Sequence, residues 1–366
     1  MHISQAYKNR LSARSHVSVS PGEDRREKVK SMLFDFFAGT ADTQSFRECY
    51  VRITGDEKVT GRLRDCNQFI LRESLSDTQL GLVLGDAVNR SMVADYRNQD
   101  QYDVWRRIAA IDRFDDFRTV RRTRLGGYGD LETVAKGQPY PALISPSDEE
   151  VTYAPFKKGG TESITLENIK NDDVGVIREV PKKLAKTAKR TLAKFVLDFI
   201  RTNPLIYDGV ALFDAAHGNL ASAPLSAAAV AAGRTAMRKQ TEPGSNDELP
   251  ISPRTLLVPF DQHETGFNIF QRGTNNDKTF VQKLSLDVQA VWYWIDENDW
   301  ALAADPNDLA SIEVSFLDGN EEPDLFVNDA PSSGSMFSND QLTWKIRQIY
   351  GGTVKDYRGL YKSVVT

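Results

Sequence analysis

Apolar and polar positions follow two different periods along this chain, and each period predicts its own kind of element. Residues 182–202 place Leu184, Ala188, Leu192, Phe195, Val196 and Phe199 on one stripe at helical spacing, which predicts an amphipathic helix packed along that stripe. Pro181 falls in its first turn, where a missing N–H costs nothing, and Asn203-Pro204 ends it. Across residues 75–96, Leu80, Leu84, Val88, Met92 and Tyr96 recur every four positions behind Ser76 or Asp77 as N-cap, predicting a second helix. Residues 25–37 predict a third, stopped by Gly39, and Ser226 caps an alanine-rich helix running to Gln240. A further helix is expected from a cap at Asp261 toward Arg272.

Residues 49–56 alternate as a strand should, 255–259 read as a buried strand, and 292–294, 300–304 and 312–317 are expected as further strands. Residues 342–350 and 353–365 read as two long β segments joined at Gly351-Gly352, as a hairpin would be. Residues 123–158 have a different texture. They carry Gly126, Gly127, Gly129, Gly137, Pro139, Pro141, Pro146 and Pro155, with short extended pieces at 133–135 and 151–153. This predicts a two-stranded excursion with a turn near residues 145–148, projecting from the body because its composition cannot fill a core.

At 366 residues the chain is long enough for two or three packed units. Its 46 basic and 51 acidic residues give a net charge of -5, which does not fit a dedicated nucleic-acid binder. Two cysteines, Cys49 and Cys66, cannot build a disulfide framework or a Cys-rich zinc site. No run approaches the roughly 18 apolar residues of a membrane span, so no membrane partner is expected, and residues 1–16 lack the apolar core of a signal peptide.

Candidate chemistry is sparse. Gly126-Gly127-Tyr128-Gly129 is not followed by the Gly-Lys-Ser/Thr of a phosphate loop. His217 could act as a base or ligand, but the other histidines are His2, His16 and His263, and there is no Gly-x-Ser-x-Gly elbow. Asp115-Asp116, Asp148-Glu149-Glu150 and Asp296-Glu297 read as solvated acidic turns. No catalytic, metal or cofactor site is therefore expected. Lys183, Arg190, Lys194 and Arg201 share a second face of the 182–202 helix; that face meets DNA or acidic neighbours, or is an ordinary solvated surface.

The order of parts is helical arm, Gly/Pro-rich β excursion, long helix, α/β insert and returning β segments. It resembles the major capsid protein of tailed bacteriophages, the α+β Hong Kong-ninety-seven-type fold. Several stretches look like the subgroup of Mu-like phages and of capsid proteins fused to a head-maturation protease. These are Glu167-Asn168-Ile169-Lys170-Asn171-Asp172-Asp173, Ala211-Leu212-Phe213-Asp214-Ala215-Ala216-His217-Gly218-Asn219-Leu220, Arg254-Thr255-Leu256-Leu257-Val258-Pro259, Ile312-Glu313-Val314-Ser315-Phe316-Leu317-Asp318-Gly319 and the ending from Tyr350-Gly351-Gly352 to Gly359-Leu360-Tyr361-Lys362. The resemblance covers residues 77–366; no catalytic pattern of a protease is seen in residues 1–76.

The resemblance implies a division into 1–76 as N-terminal arm or small extra domain and 77–122 as helical arm. Residues 123–158 would be the extended loop, 159–203 the peripheral domain with its spine helix, 204–329 the axial domain, and 330–366 the peripheral domain's returning β segments. In the loop, Tyr128, Lys136, Tyr140, Ile144, Tyr153 and Phe156 are then expected to contact a neighbouring subunit, since the loop's apolar residues need cover from another chain. The implied function is a self-assembling icosahedral shell subunit of the virion, built in the host cytoplasm as hexamers and pentamers. Expected partners are the portal protein and packaged double-stranded DNA held non-specifically, with scaffold or decoration proteins as further candidates. A cellular protein shell of the same fold and a remnant of a maturation peptidase are the competing readings; particles seen by electron microscopy, against a peptide-cleaving monomer, separate shell from enzyme.

Overall fold

The computed structural model describes residues 25–40, 49, 52, 91–126, 130–140, 142, 148–165, 179–245, 247–271, 280–283, 286–328 and 334–365. It divides into two compact units: Met1–Gln99 with Lys157–Arg190 and Glu322–Gln348, and Asp100–Phe156 with Thr191–Glu321 and Ile349–Thr366. Helices and runs of consecutive strands are mixed along the chain, in the α+β manner expected.

In the first unit, helix α1 (Arg25–Ala38) ends where the sequence requires. Gly39 takes a positive φ of 79° and donates to the Phe36 carbonyl, the left-handed stop that glycine reaches without a Cβ penalty. Val29, Leu33, Phe36 and Phe37 form a core with Cys49, Leu342 and Trp344. A smaller cluster gathers Met92, Tyr96 and Ala185. The early part of strand β11 (Gln341–Val354) pairs antiparallel with β10 (Asp324–Asn328), Val327 opposite Trp344, and also pairs with β4 (Phe156–Thr165).

In the second unit, β1 (Ala109–Phe114) runs parallel to β9 (Ile312–Leu317), which pairs antiparallel with the later part of β11, Phe316 opposite Tyr350. A separate five-stranded sheet has the order β5 (Leu220–Ala221), β12 (Leu360–Ser363), β8 (Trp300–Ala304), β6 (Pro253–Pro259), β7 (Asp287–Val291). The long helix α2 (Glu179–Thr202) contributes its first half to the first unit and its second half here. Leu192, Ala193, Val196, Leu197 and Ile200 are buried with Trp105, Phe213, Ile312, Val314, Phe316 and Tyr350. Helices α3 (Ala227–Arg238) and α4 (His263–Phe270) add Val230, Met237 and Phe270 to a second core with Leu256, Val258, Trp300, Leu302 and Tyr361. Gly233 lets α3 approach closely, because a Cβ there would meet Tyr361 and Leu302 at 2.8 and 2.9 Å.

Several expectations change. Residues 49–56 were expected as a strand, but Cys49 and Arg52, the residues described in this stretch, are helical. Of the 75–96 helix, residues 91–96 lie in a described helix; Leu80, Leu84 and Val88 lie outside the described residues. Gly351-Gly352 does not turn: β11 runs straight through it, and the reversal comes at residues 355–359 before β12 joins the other sheet. The glycines instead admit close neighbours, since a Cβ on Gly352 would stand 2.6 Å from the Glu313 carbonyl and one on Gly351 3.0 Å from the Tyr153 ring. Trp292 and Tyr293 form a turn after β7, where they pack beside the core as half-buried aromatics. Asp261 lies within a short 3-10 turn and Gln262 holds the cap of α4, without a side-chain bond. Strands β9 and β10, grouped by sequence with residues 204–329, pair with β1 and β11, whereas β12, grouped with 330–366, lies between β5 and β8.

Candidate assembly interface

Two paired strands flank residues 126–147, placed differently from the expectation. β2 (Val120–Leu125) pairs antiparallel with β3 (Asp148–Tyr153) in a two-stranded ribbon. Residues 133–135 are not a strand, and Asp148 opens β3, so the turn near 145–148 does not include it; residues 143–147 lie outside the described residues. Alternation along the ribbon sends Arg122, Arg124, Glu149, Val151 and Tyr153 to one face and Arg121, Thr123, Glu150 and Thr152 to the other. The second set is exposed; the first is not.

Two charged hubs receive the inward face. The Glu313 side chain on β9, 3% exposed, accepts from Arg122 Nε at 2.6 Å and from the Tyr153 hydroxyl at 2.9 Å, and Lys355 Nζ stands 3.6 Å away. The Tyr153 hydroxyl also shares a 2.5 Å hydrogen bond with Ser315, and Arg122 pairs with Asp112 at 2.7 Å. At the second hub, Arg358, 7% exposed, gives both arms of its guanidinium to Glu149 at 2.9 Å each and reaches Asp356 at 3.2 Å. Arg124 sits 2.7 Å from the other Asp356 oxygen, and the Tyr207 hydroxyl donates to Glu149 at 3.2 Å. Burial raises the Glu149 carboxyl, but the Arg358 bonds outweigh it and hold the group below its ordinary range. Asp356 is the reverse case: burial pushes it up, and Arg124 and Arg358 only partly oppose this.

Beyond the base, Leu131 is 80% and Tyr140 87% exposed, and Lys136 is exposed as well. Gly137, with φ 83°, occupies the third position of a turn in which Gln138 donates to the Ala135 carbonyl at 3.0 Å, the position where a type II turn favours glycine. Tyr128 and Ile144 lie outside the described residues. Two of the residues expected to contact a neighbour have partners within their own chain: Tyr153 is 8% exposed, and half-buried Phe156 packs edge-on against Phe195 and Tyr350 at 5.1 and 5.0 Å.

On α2, Leu192 is fully buried as expected, while Leu184, Ala188, Phe195 and Phe199 flank the buried stripe and are half covered. Ala185, Ala193, Val196, Leu197 and Ile200 are as fully buried as Leu192, so the covered stripe is broader than the expected one. Of the basic face, Lys183 and Arg190 are exposed. Lys194 lies 5.0 Å over the Tyr293 ring, and Arg201 pairs with Asp198 at 2.7 Å. Burial and the nearby Asp198 push the Tyr293 hydroxyl up.

His217 is buried in a structural setting. Its Nε2 meets Asp208 at 2.7 Å, its Nδ1 meets the Leu212 carbonyl at 3.1 Å, and its ring stacks on Tyr357 at 3.8 Å and 14°. Among the described residues no cluster of His, Cys, Asp and Glu could hold a metal ion, and no helix is long and apolar enough to cross a membrane. Sequence reasoning missed Glu149, Arg358, Glu313, Arg122 and Arg124. For Arg124 and Glu149 the signal was opposite charge at paired strand positions, visible only once the two segments are read as partners; Glu313 and Arg358 lie far off in sequence and carry no such local signal.

A family model described as phage capsid protein matches residues 148–363. No curated protein sequence matches the chain significantly. Among solved structures, a chain from Microbacterium phage Oxtober96 is similar with a TM-score of 0.49 and 12% identity, over 72% of this chain and 90% of that one. A chain from Mycobacterium phage Bobi gives 0.47 and 11%, over 70% and 89%. A chain from the capsid of a native GTA particle gives 0.48 and 10%, over 72% and 90%.

Proposed function

This chain belongs to the phage capsid protein family and is a structural protein of the head shell, and we propose that it assembles into an icosahedral shell as hexamers and pentamers, each subunit laying its ribbon on a neighbour. The family match over more than half the chain carries the reading. Leu131 and Tyr140, apolar and exposed on an excursion tip without regular structure, support the ribbon's part in it. Large exposed apolar side chains on a projecting segment gain by association rather than by folding.

In the proposed division, α2 is the spine helix, the sheet of β5, β12, β8, β6 and β7 with α3 and α4 forms the axial domain, and residues 1–76 form an arm. The subgroup of Mu-like and protease-fused capsid proteins is the proposed affiliation. We assign the chain no catalytic role: both ring nitrogens of His217 are engaged within the fold. Assembly in the host cytoplasm, with the portal and scaffold or decoration proteins as partners, belongs to the same proposal. So does non-specific contact with packaged DNA through exposed Lys183 and Arg190; Lys194 and Arg201 are already engaged with Tyr293 and Asp198.

Negative-stain microscopy of the expressed full chain tests the reading. Closed particles of roughly tens of nanometres are expected, because a contact repeated under closed symmetry turns a modest interface into a shell. A chain that stays monomeric at every concentration would refute it.

A further inference from the structure

We propose that Glu149, Arg122 and Tyr153 on the ribbon, with Arg358 and Glu313 on the body, form a two-point latch that fixes the direction in which the ribbon leaves its own subunit. The proposal rests on the reading of the ribbon as an assembly element. An apolar seat tolerates sliding, but a bidentate guanidinium–carboxylate pair and a buried carboxylate taking a guanidinium and a hydroxyl are satisfied in one geometry only.

The two contacts lie at different places along the ribbon. Tyr153 pairs with Val120 at the end nearest the body strands, while Glu149 pairs with Arg124 toward the tip. Glu149 and Tyr153 stand four strand positions apart, about 13 Å at 3.3 Å per residue. One contact would leave a pivot; two fix an angle. Burial sharpens the effect, since Arg358 is 7% and Glu313 3% exposed, and water cannot readily replace a partner withdrawn from either. Asp356 and Arg124 brace the outer point and Ser315 the inner one. Glu149, Arg358 and Glu313 are thus positioning residues, bonded within their own subunit and aiming the segment proposed to meet a neighbour.

Amide hydrogen exchange on the unassembled full-length chain tests this without depending on particles. Glu149→Gln should speed exchange in residues 120–125 and 148–153 by about tenfold or more while residues 255–258 and 300–304 keep their protection, as expected for a local opening. Glu149→Asp, which keeps the charge but shortens the reach, should do the same to a smaller degree. Sedimentation of assembled Glu149→Gln should show a broad range of particle sizes. The latch is overturned if ribbon exchange changes by less than about twofold, if protection falls equally throughout the chain in both variants, or if Glu149→Gln builds uniform particles of wild-type size. Failure of the wild-type chain to form particles would instead strike at the shell reading, leaving the exchange result intact.

Discussion

A tyrosine hydroxyl held between a carboxylate and a serine ionises only at a cost, and Tyr153 shows how that cost becomes a pH dependence. Burial, together with the Glu313 carboxylate, pushes its pKa from 10.0 up to about 12, with Ser315 and Arg122 opposing. Below pH 10 the hydroxyl is protonated in folded and unfolded chains alike, so its contribution is fully present. Between pH 10 and about 12 the unfolded chain loses the proton first, so stability should fall as pH rises through that window. Melting midpoints measured across it should decline, and Tyr153→Phe should make the decline shallower. Burial raises Tyr207, Tyr357 and Tyr361 too, so part of the slope should remain. A slope unchanged in Tyr153→Phe would remove Tyr153 from this account. At Leu192 the expectation is simpler. It is fully buried in α2, so Leu192→Ala should cost about 2–5 kcal/mol by chemical denaturation, and Leu192→Asp should prevent stable folding. A soluble, normally assembling Leu192→Asp variant would show the helix face to be misplaced.

At the scale of elements, β11 depends on two residues with no side chain. Gly352→Ala would press a methyl against the Glu313 carbonyl at 2.6 Å, and β9 carries that carbonyl in the middle of a sheet. The expected loss is about 1–3 kcal/mol, the usual range for overpacking. Gly160→Ala on exposed β4, where nothing lies within 4 Å, should change stability by less than about 0.5 kcal/mol. Equal effects from the two substitutions, read from urea melts, would contradict the packing role. The same pair marks where sequence reading succeeds and fails. Helices α2 and α3 were legible because their period and caps are local properties, and Ser226 does accept the Ala229 amide bond at 3.1 Å. Gly351-Gly352 was not, because a glycine that turns and a glycine that makes room look the same until the neighbouring strand is known. Trp292 and Tyr293 failed for a related reason: aromatic density favours a strand, yet these rings lie against the core from a turn.

For the whole molecule, the sharpest test removes the ribbon's tip and leaves its base. Replacing residues 137–147 by a short Gly/Ser linker should leave circular dichroism and melting nearly unchanged, because Tyr140 is exposed and the buried ribbon residues Val151 and Tyr153 lie outside the deleted stretch. Closed particles should disappear from micrographs. Normal particles would refute the tip's role in assembly, and an unfolded variant would place the tip in the core. The exposure and irregular backbone of residues 130–140 could be read from the glycines and prolines of this stretch. Its charged base could not, since Glu149 and Arg358 are 209 residues apart in sequence and meet only through the fold. That separation belongs to a wider arrangement of the topology. β12 lies between β5 and β8, and β11 supplies the partner for both β9 and β10. During translation, therefore, the earlier strands of both five-stranded sheets leave the ribosome while their sheet still lacks a member. Chains interrupted before residue 341 cannot close either five-stranded sheet, so both wait on the same late pair of strands.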